Sequence, residues 1–170
     1  MTTASGRSVI TRDFVLQVLI YDPVTGIFTW RQSRGGKLLG TRAGGLDGDG
    51  YEVIRLNKRA FKSHRLAWLY VHSDLPDSDL DHRDLNRANN AINNLRPATR
   101  AQNIANTKKR ATNRSGYKGV SYHAFSGLYR ATLFVRGKQI CGKYHKKPED
   151  AYAEYCAMAV ASYGEFARLS

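Results

Sequence analysis

The 170-residue sequence holds only two cysteines, Cys141 and Cys156, and no C-x-x-C pair. Neither a disulfide framework nor a cysteine-rich structural zinc site is indicated, and this usage suits a reducing cytosol. Long apolar runs are also missing. Nothing approaches the roughly 20 residues of a membrane span, and the Met-Thr-Thr-Ala-Ser start lacks the apolar core of a signal peptide. The expectation is a soluble, unexported, cytoplasmic protein with no membrane partner. Acidic residues are scarce too, 14 against 27 Lys and Arg, which leaves a net charge of +13. That balance is the electrostatic footprint of a protein that contacts phosphates, so a polyanion is the expected partner.

The basic excess is uneven. Residues 107–170 hold 12 Lys/Arg and 4 Asp/Glu, a net +8, against 15 and 10, or +5, for residues 1–106. Along the chain, Phe14, Val15, Val18 and Leu19 recur at helical spacing after a possible N-cap, Thr11, which predicts a short helix over 11–20. Thr25-Gly26 signals a turn into Ile27–Trp30, and the Gly-rich stretch 35–50 can hardly form regular structure. Tyr51–Leu56 and Ala60–Phe61 flank Asn57-Lys58-Arg59 as a β-hairpin. A helix over 64–72 follows, its region closed by Pro76. Residues 79–98 read as a hairpin with a long loop, and Thr99-x-x-Gln102 is a capping box that opens the next helix.

Chemistry concentrates in DHRDLNRANNAINNLRPATRAQNIAN, residues 81–106. A hydrolytic nuclease needs a base for water, a group to hold that base, and a hard cation on the scissile phosphate. His82 takes a proton near neutral pH, and Asp81 beside it offers a carboxylate on the opposite face of a strand. The stretches YDPVTGIFTW, GYEVIRLNKRAFKSHRLAWLYV and the segment above resemble the HNH endonucleases, especially the phage and intron-encoded homing type, across most of residues 15–108. The resemblance implies a ββα-metal core at about 79–108. It also implies His82 as general base, Asn94 orienting it, Asp81 and Asn103 holding metal, and one Mg²⁺ (or Mn²⁺) per active site. Asn94 is taken as the orienter because Asn94-Leu95 matches the second-strand motif, while Asn90 is read as tying the loop backbone near the site. His64, opening HRLAWLY, is expected to support the site from behind.

Lys108, Lys109, Arg110 and Arg114 stand among small polar residues, a flexible linker able to lie along a phosphate backbone. Beyond it, three strands over 117–122, 129–135 and 138–144 and a helix over 148–163 predict a three-stranded meander packed on one helix. Period two places Arg130, Thr132, Phe134 and Arg136 on one strand face and Ala131, Leu133 and Val135 on the other. Residues 116–167, through YKGV, CGKY and AYAEYCAMA, resemble the plant ethylene-response-factor (Apetala-two) DNA-binding domain. The resemblance implies DNA contacts at Lys118, Ser121, His123, Thr132, Phe134 and Lys138.

The expected fold is α+β, with a nuclease domain over 1–110, a basic linker over 111–116 and a DNA-binding domain over 117–170. The expected function is a metal-dependent, homing-type endonuclease that nicks double-stranded DNA as a monomer. The rival is a non-catalytic, sequence-specific DNA-binding regulator that retains a nuclease-like fold.

Overall fold

A computed structural model of the chain describes residues 10–33 and 35–169. The reading of the extreme N-terminus as lacking a signal peptide lies outside the described residues. The chain divides into two compact units, Met1–Pro97 and Ala98–Ser170.

In the first unit, α1 (Arg12–Val18) begins at Thr11, whose hydroxyl accepts from the Phe14 amide at 3.3 Å. The helix stops earlier than its periodicity suggests because Leu19 turns extended, opening β1 (Leu19–Tyr21) against β2 (Phe28–Trp30). Next come β3 (Gly45–Leu46), β4 (Glu52–Leu56) and β5 (Arg59–Lys62), an antiparallel sheet in that order. The β4–β5 turn is Asn57-Lys58, both at positive φ (48° and 64°), the backbone that a tight two-residue hairpin requires. Helix α2 (Ser63–His72) ends where the spacing predicts, capped by Ser73, which adopts a left-handed φ of 69°. Strands β6 (Asp79–His82) and β7 (Leu95–Ala98) pair across the long polar loop, which ends in a 3₁₀ turn over 92–94.

One core joins these elements: Val15, Val18, Leu19, Tyr21, Phe28, Trp30, Ile54, Leu56, Leu66, Leu69 and Leu95 are buried together. Each such side chain contributes about 1.5–3 kcal/mol on leaving water. The alternation of β4 puts Glu52, Ile54 and Leu56 inward, so a carboxylate is buried along with the aliphatics.

The second unit opens with α3 (Arg100–Ala105). Its capping box is complete: Thr99 accepts from the Gln102 amide, and Gln102 Oε1 accepts from the Thr99 amide at 2.8 Å. Strands β8 (Val120–His123), β9 (Leu128–Val135) and β10 (Lys138–His145) form an antiparallel meander. Helix α4 (Pro148–Tyr163) covers one face, packing Tyr155 and Ala159 on Ala131 and Leu133. The first strand begins at Val120, three residues later than expected, because Gly119 turns to a φ of 71° beneath Tyr155. A Cβ there would lie 2.1 Å from that ring. The fold class is thus α+β, as the sequence predicts. Among the described residues no helix is long and apolar enough to cross a membrane.

Candidate active site

Asp81 and His82 close β6, and both are buried, with 3% and 5% of their surface exposed. The pleat sends them to different partners. Asp81 Oδ2 accepts from Arg96 Nε and Nη2 on β7 at 3.0 and 2.9 Å, a buried ion pair across the two strands. His82 Nε2 lies 3.3 Å from Asn90 Oδ1. Burial pushes the His82 pKa below its ordinary value, and the Asn90 hydrogen bond with the nearby Asp84 and Asp81 charges partly opposes it.

Asn90 is wholly buried and held on every side. Its Nδ2 donates to Glu52 Oε2 at 3.1 Å and to Ala88 O at 3.3 Å, which fixes the amide with Oδ1 toward His82. Its backbone carbonyl accepts from Tyr21 Oη at 2.6 Å, and the Ile92 amide bonds to Pro23 O. Gly26, at a φ of +75°, presses so close that a Cβ would fall 2.2 Å from Ala91 N. The Tyr21–Gly26 turn, built by Asp22 accepting from Val24 N and Thr25 Oγ1, therefore clamps the asparagine loop.

Asn94 has the other task. Its Nδ2 donates to Asp84 Oδ1 at 2.9 Å and to Asn89 O at 2.8 Å, and its Oδ1 accepts from the Asp84 amide at 3.1 Å. The two asparagines thus exchange the places expected of them: Asn90 meets the histidine and Asn94 ties the loop. The reason is the loop path. Leu85 at a φ of 65° and the 3₁₀ turn over 92–94 direct position 90 inward, while Asn94 lies beside the Asp84 bend.

His64, at the start of α2, stands edge-on to His82 with ring centroids 5.0 Å apart, and Tyr51 packs near both rings. Its Nδ1 is buried without a hydrogen-bond partner, and burial, aided by the His82, Arg65 and Lys62 charges, pushes its pKa down to about 3. It is therefore a neutral imidazole beside the His82 ring. Sequence reasoning missed Glu52 and Arg96. Glu52 carried a usable signal, an acidic residue at an inward position between strand aliphatics; Arg96 carried none.

Among the described residues, no group of three or more His, Cys, Asp and Glu is arranged to hold a metal. A closed zinc cage is thereby unsupported. A hydrated hard cation needs only one or two carboxylates, and Asp81, whose Oδ2 is held by Arg96, is the buried carboxylate beside His82. Asn103 lies half-buried on α3 of the second unit.

In the second unit, Lys118 departs from expectation. Its three ammonium donors go to Ala105 O, Thr107 O and Arg168 O at 2.7, 2.7 and 2.9 Å, leaving none for a phosphate, and burial pushes its pKa down to about 8. Strand register gathers Ser121, His123, Arg130, Thr132 and Phe134 on the sheet face away from α4. Lys138 pairs with Val135 and so belongs to the other alternation set, though it is exposed, as is Arg136. Arg130 donates to Gly142 O and lies 4.9 Å over the Tyr144 ring. Lys108, Lys109, Arg110 and Arg114 are exposed.

Residues 61–105 match the family model described as HNH endonuclease. Protein 3.8 of Escherichia phage T7 is 34% identical over 82 residues, covering 48% of this chain and 68% of the phage protein. The solved structure of the HNH homing endonuclease I-HmuI, described for DNA binding and cleavage, is 20% identical with a TM-score of 0.43, covering 86% of this chain and 85% of that one. With Asp81, His82 and Asn90 all inside the matched segment, the chain belongs to the HNH endonuclease family and is a relative of the phage T7 protein.

Proposed function

We propose that this chain is a metal-dependent DNA endonuclease of the homing type in which His82 is the general base. The observation that carries the reading is the buried His82 held through Nε2 by an amide oxygen. An amide oxygen only accepts, so Nε2 bears the proton and Nδ1 keeps the lone pair. A neutral imidazole so fixed takes a proton from water, and the resulting hydroxide attacks the phosphodiester to leave 5′-phosphate and 3′-hydroxyl ends. Asp81 is the carboxylate offered to the cation, its orientation set by Arg96, and Asn103 keeps the ligand role that the sequence resemblance gives it. One Mg²⁺ or Mn²⁺ ion, when bound, would act as a Lewis acid on the scissile phosphate. His64 and Tyr51 wall in the base.

The exposed Lys108, Lys109, Arg110 and Arg114, with Ser121, His123, Arg130, Thr132, Phe134 and Arg136 of the second unit, would hold double-stranded DNA, with Lys138 at the margin. The resemblance of residues 116–167 to the ethylene-response-factor domain supports that assignment. One active site per chain favours nicking by a monomer, acting where cytoplasmic DNA is accessible. The domain assignment that goes with this reading is a nuclease domain over 1–110, a linker over 111–116 and a DNA-binding domain over 117–170.

The Asp81–Arg96 ion pair favours a second reading. A carboxylate committed to arginine would leave a DNA-binding regulator that does not cut. Incubating supercoiled plasmid with the full chain and Mg²⁺, Mn²⁺ or chelator separates the two. Nicked product that requires the ion supports the nuclease; DNA bound but uncut under every condition supports the regulator.

A further inference from the structure

We propose that Glu52 is a positioning residue for His82, fixing which ring nitrogen serves as the base. The inference rests on the nuclease reading above. Glu52 sits on β4 at an inward position shared with Ile54 and Leu56 and is 2% exposed. A carboxylate taken out of water is costly unless it is paired and hydrogen-bonded, so each of its partners is informative.

Its two oxygens have different partners. Oε1 accepts from Arg42 Nε and Nη2 at 3.0 and 2.8 Å, a two-pronged grip from a partly exposed arginine. Oε2 accepts from Asn90 Nδ2 at 3.1 Å. Arg42 thus anchors one end of the carboxylate and leaves the other to the asparagine.

An asparagine amide has nearly the same shape when turned over, so its neighbours decide which end faces which way. With Nδ2 on the carboxylate, Oδ1 faces His82 and demands a proton on Nε2, which puts the lone pair on Nδ1. Turned over, Nδ2 would face His82 Nε2 and demand a lone pair there, moving the proton to Nδ1 and removing the base. Ala88 O also favours the observed orientation, but at 3.3 Å and without charge it is the weaker restraint. The chain of hydrogen bonds Arg42–Glu52–Asn90–His82 therefore selects a tautomer.

The test is ¹⁵N NMR of the imidazoles in the full chain at about pH 8, above the ordinary imidazole pKa of about 6.5. It compares wild type, Glu52→Leu and Glu52→Gln, with single-turnover cleavage measured beside it. Wild type should show His82 protonated on Nε2. Glu52→Leu should populate the Nδ1-protonated form and cut about 10- to 100-fold more slowly, as other losses of an orienting partner do, with DNA affinity little changed. Glu52→Gln, whose single amide oxygen must serve Asn90 or Arg42, should fall between, and it carries the test if the leucine variant does not fold. An unchanged His82 tautomer in the folded variants overturns the proposal, even if the rate falls. Failure of the nuclease reading looks different: wild type would not cut at all, whatever its tautomer.

Discussion

Replacing Gly26 with Ala should damage the site from a distance, because the clamp on Asn90 depends on a missing side chain. Two costs add. An L-residue held in the left-handed region loses about 1–2 kcal/mol, and Gly26 has a φ of +75°. The new Cβ would meet Ala91 N at 2.2 Å and Asn90 C at 2.3 Å, and because these are backbone atoms the loop itself must move. Overpacking of that kind costs about 1–3 kcal/mol. Gly50 separates the two costs, since its φ is +81° but nothing lies within 4 Å of its would-be Cβ. In urea unfolding, Gly26→Ala should lose about 2–5 kcal/mol and Gly50→Ala about 1–2 kcal/mol. Cleavage at a temperature where both variants remain folded should fall for Gly26→Ala and stay near wild type for Gly50→Ala. Equal losses in both variants, in stability and in rate, would refute the idea that Gly26 sets the position of Asn90.

His64 makes stability depend on pH. Its folded pKa of about 3 lies below the ordinary value of 6.5, so the unfolded chain takes up the proton first as pH falls. Stability is then fully present above about pH 6.5 and lost toward pH 3 at about 1.4 kcal/mol per unit, or about 2 kcal/mol by pH 5. His64→Phe should gain that much relative to wild type over the same interval in denaturant titrations; parallel pH curves would contradict it. Asn90→Ala should slow cutting by about tenfold or more, whereas Asn94→Ala should chiefly lower the melting temperature by freeing the Asp84 loop. Measuring rate and melting temperature on both variants checks the exchange of roles, and a larger rate loss for Asn94→Ala would reverse it. Replacing Lys108, Lys109 and Arg110 together with Ala should make the slope of log affinity against log salt shallower by about 2–3, at about 0.9 for each phosphate no longer neutralised. A mobility-shift series with an unchanged slope would remove this segment from the DNA interface.

What was legible in the sequence follows from how local each cause is. Thr11, the Thr99/Gln102 capping box and Pro148 with Gly164 mark helix ends through neighbouring residues, and α1, α3 and α4 begin where they indicate. The hairpin at Asn57-Lys58 is equally local. The pairing of Asp81 with His82 was readable because adjacent positions on a strand diverge. The choice between Asn90 and Asn94 was not, since it depends on Glu52 and Tyr21, 38 and 69 residues away in sequence. Lys118 reads as a surface cation in its own segment, and only its bond to Arg168 O, 50 residues on, reveals an internal tie.

The central claim, that His82 removes the proton from water in DNA cleavage, is tested most directly by His82→Ala under single-turnover conditions with Mg²⁺, with DNA affinity measured on the same preparation. A rate loss of about 10²–10⁴ with binding almost unchanged is expected, because proton transfer is removed while the groups that hold phosphate remain. Cleavage by His82→Ala at the wild-type rate would contradict it.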